Sequence, residues 1–290
     1  MNILLFGSRG YIGAEFQKRI LFSENNLIVA PSFNNFKTVS DFSNYIRNTH
    51  VNIVINAAGY TGKPNVDACE LDKENCYYGN VIFPLLLAEA CSLTNTPFGH
   101  VSSGCIYGGY KKAFVEDDEP NFSFVQDNCS FYSGTKAHAE RLLKEYPNSY
   151  VWRLRIPFDN TSSPRNYISK LLNYKKLLNL PNSISHKSEF VNACLQCFEK
   201  QVPFGTYNIT NTGFTSAEHV IELLKKHSTA TEFFNLEKEF FASEEEFYKE
   251  AKAPRSNCIL DNTKLLNVGI TMRAVEDALI DSISSYQFRE

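Results

Sequence analysis

Tyr132 and Lys136 stand four residues apart in Cys129-Ser130-Phe131-Tyr132-Ser133-Gly134-Thr135-Lys136. On a helix this spacing brings the phenol and the ammonium to one face. The positive charge is expected to favour the phenolate and lower the tyrosine from its reference near ~10. A tyrosine so tuned can give a proton to a carbonyl oxygen while hydride arrives at carbon. Upstream, Ser102-Ser103-Gly104-Cys105-Ile106-Tyr107-Gly108 adds a hydroxyl and a thiol at the end of an apolar strand. Alone, Ser103 would pass for an ordinary strand-end serine.

Hydride needs a carrier, and the amino-terminal residues offer a place for one. Gly7-Ser8-Arg9-Gly10-Tyr11-Ile12-Gly13 follows the apolar strand Asn2–Phe6 and opens a helix. Glycines at these points permit a tight turn, close approach to a pyrophosphate and tight helix–sheet packing, with phosphate at the helix amino terminus. Ser8, Arg9, Tyr11 and Ile12 are counted with the glycines as the cofactor loop. Asn56-Ala57-Ala58, after a later strand, is expected on the same crevice. The second strand ends in Val29-Ala30-Pro31-Ser32, without the acid that would hold a ribose 2′-hydroxyl. Arg9 could instead meet a 2′-phosphate, so the cofactor is read as NADPH, with Asp41 kept as a residue that could still fall near the ribose.

These groups must be held by a scaffold, and the pattern supplies one. Short apolar runs at Asn2–Phe6, Leu27–Ala30, Val51–Ile55, Phe98–Ser102 and Tyr150–Ile156 alternate with helical stretches at Tyr11–Leu21, Thr38–Asn48, Glu74–Cys91 and Ser130–Glu145. This predicts an α/β fold of Rossmann type, a doubly wound parallel sheet with its ligand at the carboxyl ends of the strands. After Pro157 the pattern loosens into helical stretches at Arg165–Leu178, Ser188–Lys200, Thr215–Lys226 and Met272–Tyr286, with a short strand at Gly205–Ile209. The reading is a cofactor domain over 1–160 and a smaller, mostly helical substrate lobe over 161–290. The boundary is soft, because the chain could return to the sheet.

Bulk properties exclude several classes. The 290 residues carry 29 basic and 32 acidic side chains, a net charge of −3, which leaves no electrostatic footprint for nucleic acid. No apolar run approaches ~20 residues, so no membrane span is expected. Met1–Phe6 reads as a strand rather than a signal peptide. The eight cysteines are therefore expected as free thiols in a cytoplasmic protein. Cys194 and Cys197 fall on a helical apolar pattern and are read as buried, not as a metal pair. No metal site is expected.

The glycine spacing resembles the extended short-chain dehydrogenase/reductase family. Several segments narrow that resemblance: Asn56 through Asp67, Ser103-Gly104-Cys105-Ile106, Phe131 through Lys136, Pro164-Arg165-Asn166 through Lys170, Leu180 through Ser183, and Ala253 through Asn257. Together they resemble the UDP-4-keto-6-deoxy-D-glucose 3,5-epimerase/4-reductases that complete UDP-L-rhamnose synthesis. The 4,6-dehydratases of that superfamily carry Asp-Glu where this chain has Gly104-Cys105. The resemblance implies a Ser103/Tyr132/Lys136 reductase triad, with Cys105 and Lys170 exchanging protons beside the keto group. Lys136 would also hold the nicotinamide ribose, while Asn166 and Arg255 are candidates for the sugar and diphosphate. A separate 4,6-dehydratase would supply the UDP-sugar. Two copies would pair through the helices matching Glu74–Cys91 and Ser130–Glu145. Three alternatives stay open: a dTDP-4-keto-rhamnose reductase, a GDP-4-keto-6-deoxymannose epimerase–reductase, and a non-catalytic regulatory subunit.

Overall fold

The computed structural model describes residues 1–32, 35–63, 65–230 and 233–287, so Pro64 of the segment Asn56 through Asp67 lies outside it. In the first half, Asn2–Phe6 (β1), Tyr11–Leu21 (α1), Asn26–Val29 (β2), Val39–Asn48 (α2) and Ile53–Asn56 (β3) alternate as the pattern predicts. A 3-10 turn at Val66–Glu70 then leads into Lys73–Tyr77 (α3) and Phe83–Leu93 (α4), joined by a π turn over Tyr78–Ile82. Pro84 explains the π turn, because it lacks the N–H that would bond the carbonyl of Asn80. Phe98–Ser103 (β4), Gly109–Phe114 (β5), Phe131–Leu143 (α5) and Ser149–Leu154 (β6) follow.

The second half is more broken. It runs Pro157–Phe158 (β7), Tyr167–Asn173 (α6), Lys176–Leu177 (β8), Ser185–His186 (β9), Lys187–Glu199 (α7), Gly205–Asn208 (β10) and Ala217–His227 (α8). It closes with Glu239–Phe240 (β11), Glu244–Glu250 (α9), Cys258–Leu260 (β12), Thr263–Asn267 (α10) and Val275–Ser284 (α11). The helix expected over Arg165–Leu178 stops at Asn173. Tyr174 turns extended there, and Lys176–Leu177 pairs with β11 instead.

One six-stranded sheet, β10-β6-β4-β3-β1-β2, carries the molecule, with every neighbouring pair parallel. The order reverses between β1 and β3, and such a switch point opens a crevice at the strand ends. Helices cover both faces. Phe16, Ile20, Phe190, Val191, Cys194 and Cys197 pack with Ile3, Leu5 and Trp152 on one face; Phe42, Phe83, Leu87 and Cys91 pack with Leu4, Val54 and Phe98 on the other. A division at residue 160 does not follow the cores. α7 and β10 return to the sheet, and Leu265, Ile270 and Met272 join the same cluster as Ile3. What remains of the second lobe is built on Phe158, Ile168, Leu171, Val220, Leu224, Ala278 and Leu279.

Lys73–Leu93 is long and apolar enough to cross a membrane by length and composition, but half of it is buried against the sheet and its neighbours. Cys194 and Cys197 are buried, and burial pushes both thiols up, as suits core residues.

Candidate active site

The cofactor loop begins at the switch point. Gly7 has φ +80°, and a Cβ there would lie 2.4 Å from the Ala58 nitrogen. A Cβ on Gly13 would lie 1.9 Å from the Gly7 carbonyl oxygen, so the loop and α1 close on each other without side chains. Gly10, by contrast, would meet only the Gly7 oxygen, at 3.3 Å. It N-caps α1 without a side-chain cap, and no acid occupies the first turn. The first N–H groups therefore face an open cradle, and a pyrophosphate fits it. Arg9 is exposed beside it, Ser8 is buried, and Ile12 packs on the core.

Three cofactor-loop expectations change. Asn56 is wholly buried: its Oδ1 accepts from Ala58 N at 3.0 Å and its Nδ2 meets His100 Nδ1 at 3.1 Å. It shapes the wall formed by Ala57 and Ala58, and its side chain is not free for a cofactor. Tyr11 turns its hydroxyl to Asp159 Oδ1, 3.0 Å away. Asp41 spends its carboxylate on the capping box of α2, accepting from Lys37 N and Thr38 N at 2.9 Å, so no acid from this helix is left for a ribose.

Tyr132 and Lys136 ride on α5, which starts where the Ser130 hydroxyl accepts from Ser133 N. Ser103, at the end of β4, accepts from Cys105 N at 3.2 Å and shares a hydrogen bond with Tyr132. The depressed tyrosine expected from the Tyr-x-x-x-Lys spacing is not found. Burial pushes the Tyr132 phenol up, with the Cys105 sulfur adding to the rise and the Ser103 hydrogen bond opposing it. Burial is also the main cause that brings Lys136 down, to about 8. The Lys136 ammonium donates to the Val101 carbonyl at 3.4 Å. Loss of water outweighs the neighbouring charge, and the phenol is held protonated, the form a proton donor needs. Beneath this helix, Glu140 pairs with Arg153 at 2.9 Å and accepts from the Ser102 hydroxyl at 2.5 Å, all buried.

Cys105 is half-buried in the turn after β4 and packs in the cluster of Tyr132, Cys69 and Cys76. Lys170 lies on α6 and is half-buried. Burial pulls its ammonium below the ordinary lysine value; Arg165 and Arg255 add to the fall, and Cys105 opposes it. Cys105 thus lies within electrostatic reach of both Tyr132 and Lys170. Arg255 is paired with Asp67 at 2.7 Å, with its side chain 26% exposed. Asn166 is a correction among the substrate candidates. It is 0% exposed, caps α6 through Ile168 N, and spends its amide on Asp159 and Thr161. It positions the Lys170 helix.

Three residues of this site escaped the sequence reading. Asn80, in the π turn, accepts from Tyr60 N at 2.9 Å and donates to Thr135 Oγ1 at 3.1 Å, bracing α5. Pro84 inside a helical pattern was the available signal. Arg155 reaches Cys105, and Arg165 donates to the Gly62 carbonyl at 2.8 Å. Arginines alternating at 153 and 155 along a buried strand could have drawn notice. Among the described residues no cluster could hold a metal ion.

Residues 1–288 match the family described as RmlD substrate binding domain. The chain is 31% identical over 290 residues to a bifunctional dTDP-4-dehydrorhamnose 3,5-epimerase/dTDP-4-dehydrorhamnose reductase of Arabidopsis thaliana, covering 96% of this chain and 91% of that one. It is 34% identical over 246 residues to a trifunctional UDP-glucose 4,6-dehydratase/UDP-4-keto-6-deoxy-D-glucose 3,5-epimerase/UDP-4-keto-L-rhamnose-reductase of the same plant, covering 81% of this chain and spanning 35% of that longer protein. Its fold superposes on the crystal structure of a UDP-rhamnose synthase from Acanthamoeba polyphaga mimivirus with a TM-score of 0.89 at 26% identity, covering 98% of this chain and 99% of that one.

Proposed function

Because this chain belongs to the RmlD substrate-binding domain family, we propose that it is an NADPH-dependent reductase of a 4-keto-6-deoxy nucleotide sugar that also epimerises carbons 3 and 5. The substrate we assign is UDP-4-keto-6-deoxy-D-glucose and the product UDP-β-L-rhamnose. One observation supports the epimerase half: a thiol, Cys105, lies within electrostatic reach of both the phenol of Tyr132 and the ammonium of Lys170. The relatives named for UDP-sugar chemistry, the trifunctional plant protein and the mimivirus UDP-rhamnose synthase, support the choice of base.

The 4-keto group acidifies the hydrogens on its two neighbouring carbons. Cys105, as thiolate, takes the proton from carbon 5 as the C–H bond breaks. Ser103 and Tyr132 hold the enolate oxygen by hydrogen bonds. Lys170, as ammonium, returns a proton to the opposite ring face and inverts the centre. Solvent exchange then restores the thiolate and the ammonium, and the cycle repeats at carbon 3. The loop from Gly7 to Gly13 would hold a reduced nicotinamide dinucleotide, which would supply the hydride for carbon 4. Tyr132 delivers its proton to the oxygen, and the network through Lys136 restores it.

A separate 4,6-dehydratase would supply the substrate. Pairing of two copies is supported by Ile82, Leu85, Leu86 and Glu89, which lie on one helical face and keep some exposure. Sedimentation at micromolar concentration tests it, and a monomer would sink it.

The deciding experiment mixes the protein with UDP-4-keto-6-deoxyglucose and NADPH in heavy water and follows products by NMR. UDP-rhamnose labelled at carbons 3 and 5 is the expected result. Cofactor oxidation without label would leave a simple reductase. The same assay with dTDP and GDP sugars decides the base.

A further inference from the structure

Arg155 is 1% exposed, at the end of β6, and none of the ion pairs among the described residues gives it a carboxylate partner. Its Nη1 donates to Cys105 Sγ at 3.0 Å. Its Nη2 donates to the Asn182 amide oxygen at 2.5 Å and to the Ser256 carbonyl at 2.7 Å, while its Nε has no hydrogen-bond partner. A guanidinium does not lose its proton at any working pH, so it is buried as a cation. An unpaired buried charge is among the costliest features a fold can carry.

The groups that face this cation are few. Cys105, Cys258, Tyr110 and Tyr167 reach it electrostatically. Burial pushes up both tyrosine phenols and the Cys258 thiol. Cys258 also donates its S–H to the Gly104 carbonyl at 3.7 Å, which a thiolate cannot do. Cys105 differs because its sulfur is the acceptor of a guanidinium N–H. Lys136 and Tyr132 from α5 and Lys170 from α6 also reach it electrostatically, two further cations and a neutral phenol.

We propose that Arg155 is the positioning residue of Cys105, forming with it a guanidinium–thiolate pair that keeps the sulfur charged and aimed before substrate arrives. The proposal deepens the epimerase reading and rests on it for its purpose. The pair itself exists or not irrespective of turnover. Arg155 also ties Cys105 to the second lobe, because Asn182 and Ser256 take its other amino group.

Iodoacetamide alkylation of the full-length protein, with Cys105 located by peptide mass spectrometry, tests this without substrate. An ordinary thiol loses about tenfold in rate per pH unit below about 8.5. Cys105 should instead keep its rate nearly constant from pH 8 down to pH 6. The Arg155→Gln variant should lose about tenfold or more at pH 6.5 and recover at pH 9.5, and Arg155→Lys should restore part of the loss. A wild-type profile that falls like an ordinary thiol would overturn the proposal, and this measurement needs no variant to fold. Flat alkylation without deuterium exchange at carbons 3 and 5 would keep the ion pair and remove the epimerase reading. Exchange with an ordinary thiol profile would do the reverse.

Discussion

Tyr11 and Asp159 meet across 148 residues of chain, the tyrosine hydroxyl donating to Asp159 Oδ1 at 3.0 Å. The same carboxylate is ion-paired with Lys187, whose ammonium lies over the Tyr11 ring, and accepts from Asn166 Nδ2 at 2.8 Å. Asn166 caps α6 and Tyr11 begins α1, so the cofactor-loop helix and the Lys170 helix are fastened to one buried acid.

Removing that acid should loosen both helices. Asp159→Ala strands Lys187 and should cost about 3–5 kcal/mol. Tyr11→Phe deletes one hydrogen bond and should cost about 1 kcal/mol. Urea unfolding of the three proteins checks the ranking. Equal losses for the two variants would show that the carboxylate is not the hub.

Two glycines face equal crowding and should respond oppositely. An added Cβ would lie 2.1 Å from the Trp152 ring at Gly99 and 2.1 Å from the Phe124 ring at Gly134. Trp152 is fully buried between helix and sheet, whereas Phe124 is 39% exposed and can swing away. Gly99→Ala should therefore cost about 3 kcal/mol or more, since a packed core cannot give. Gly134→Ala should stay within about 1 kcal/mol, because alanine's helix propensity offsets the displaced ring. Thermal melts of the pair decide it.

Lys136 should trade stability for activity. Its pKa is lowered by burial to about 8, so the unfolded chain holds this proton more tightly than the folded one. The resulting destabilisation is full and constant below pH 8, and it is relieved as pH rises from about 8 toward the unfolded value near 10.5. Lys136→Met should be more stable than the wild type at pH 7 by about 1–4 kcal/mol. The advantage should shrink at pH 10. The same variant should lose reduction by about 10²–10⁴-fold. A variant equally active, or one whose advantage grows with pH, would contradict the assignment.

Features encoded within a few residues were readable before any coordinates. The glycines at 7 and 13 announce a loop that only glycine can close, and Tyr132-x-x-x-Lys136 fixes two side chains on one helical face whatever surrounds them. Alternating apolar runs are enough to place β1, β3, β4, β6 and α5, because strand and helix periodicities are local. The sign of the Tyr132 shift was not readable, since it depends on how much water the closed fold removes from a phenol. The second half was less legible because its strands are two to four residues long, too short for a period to show. Asn166 looked like a ligand until the fold buried it as a cap. Arg155 and Cys105 stand 50 residues apart, on the ends of neighbouring strands, and come together only because β4 and β6 pair in parallel. Charge pairing between distant residues is decided by strand order and register, which no local pattern records.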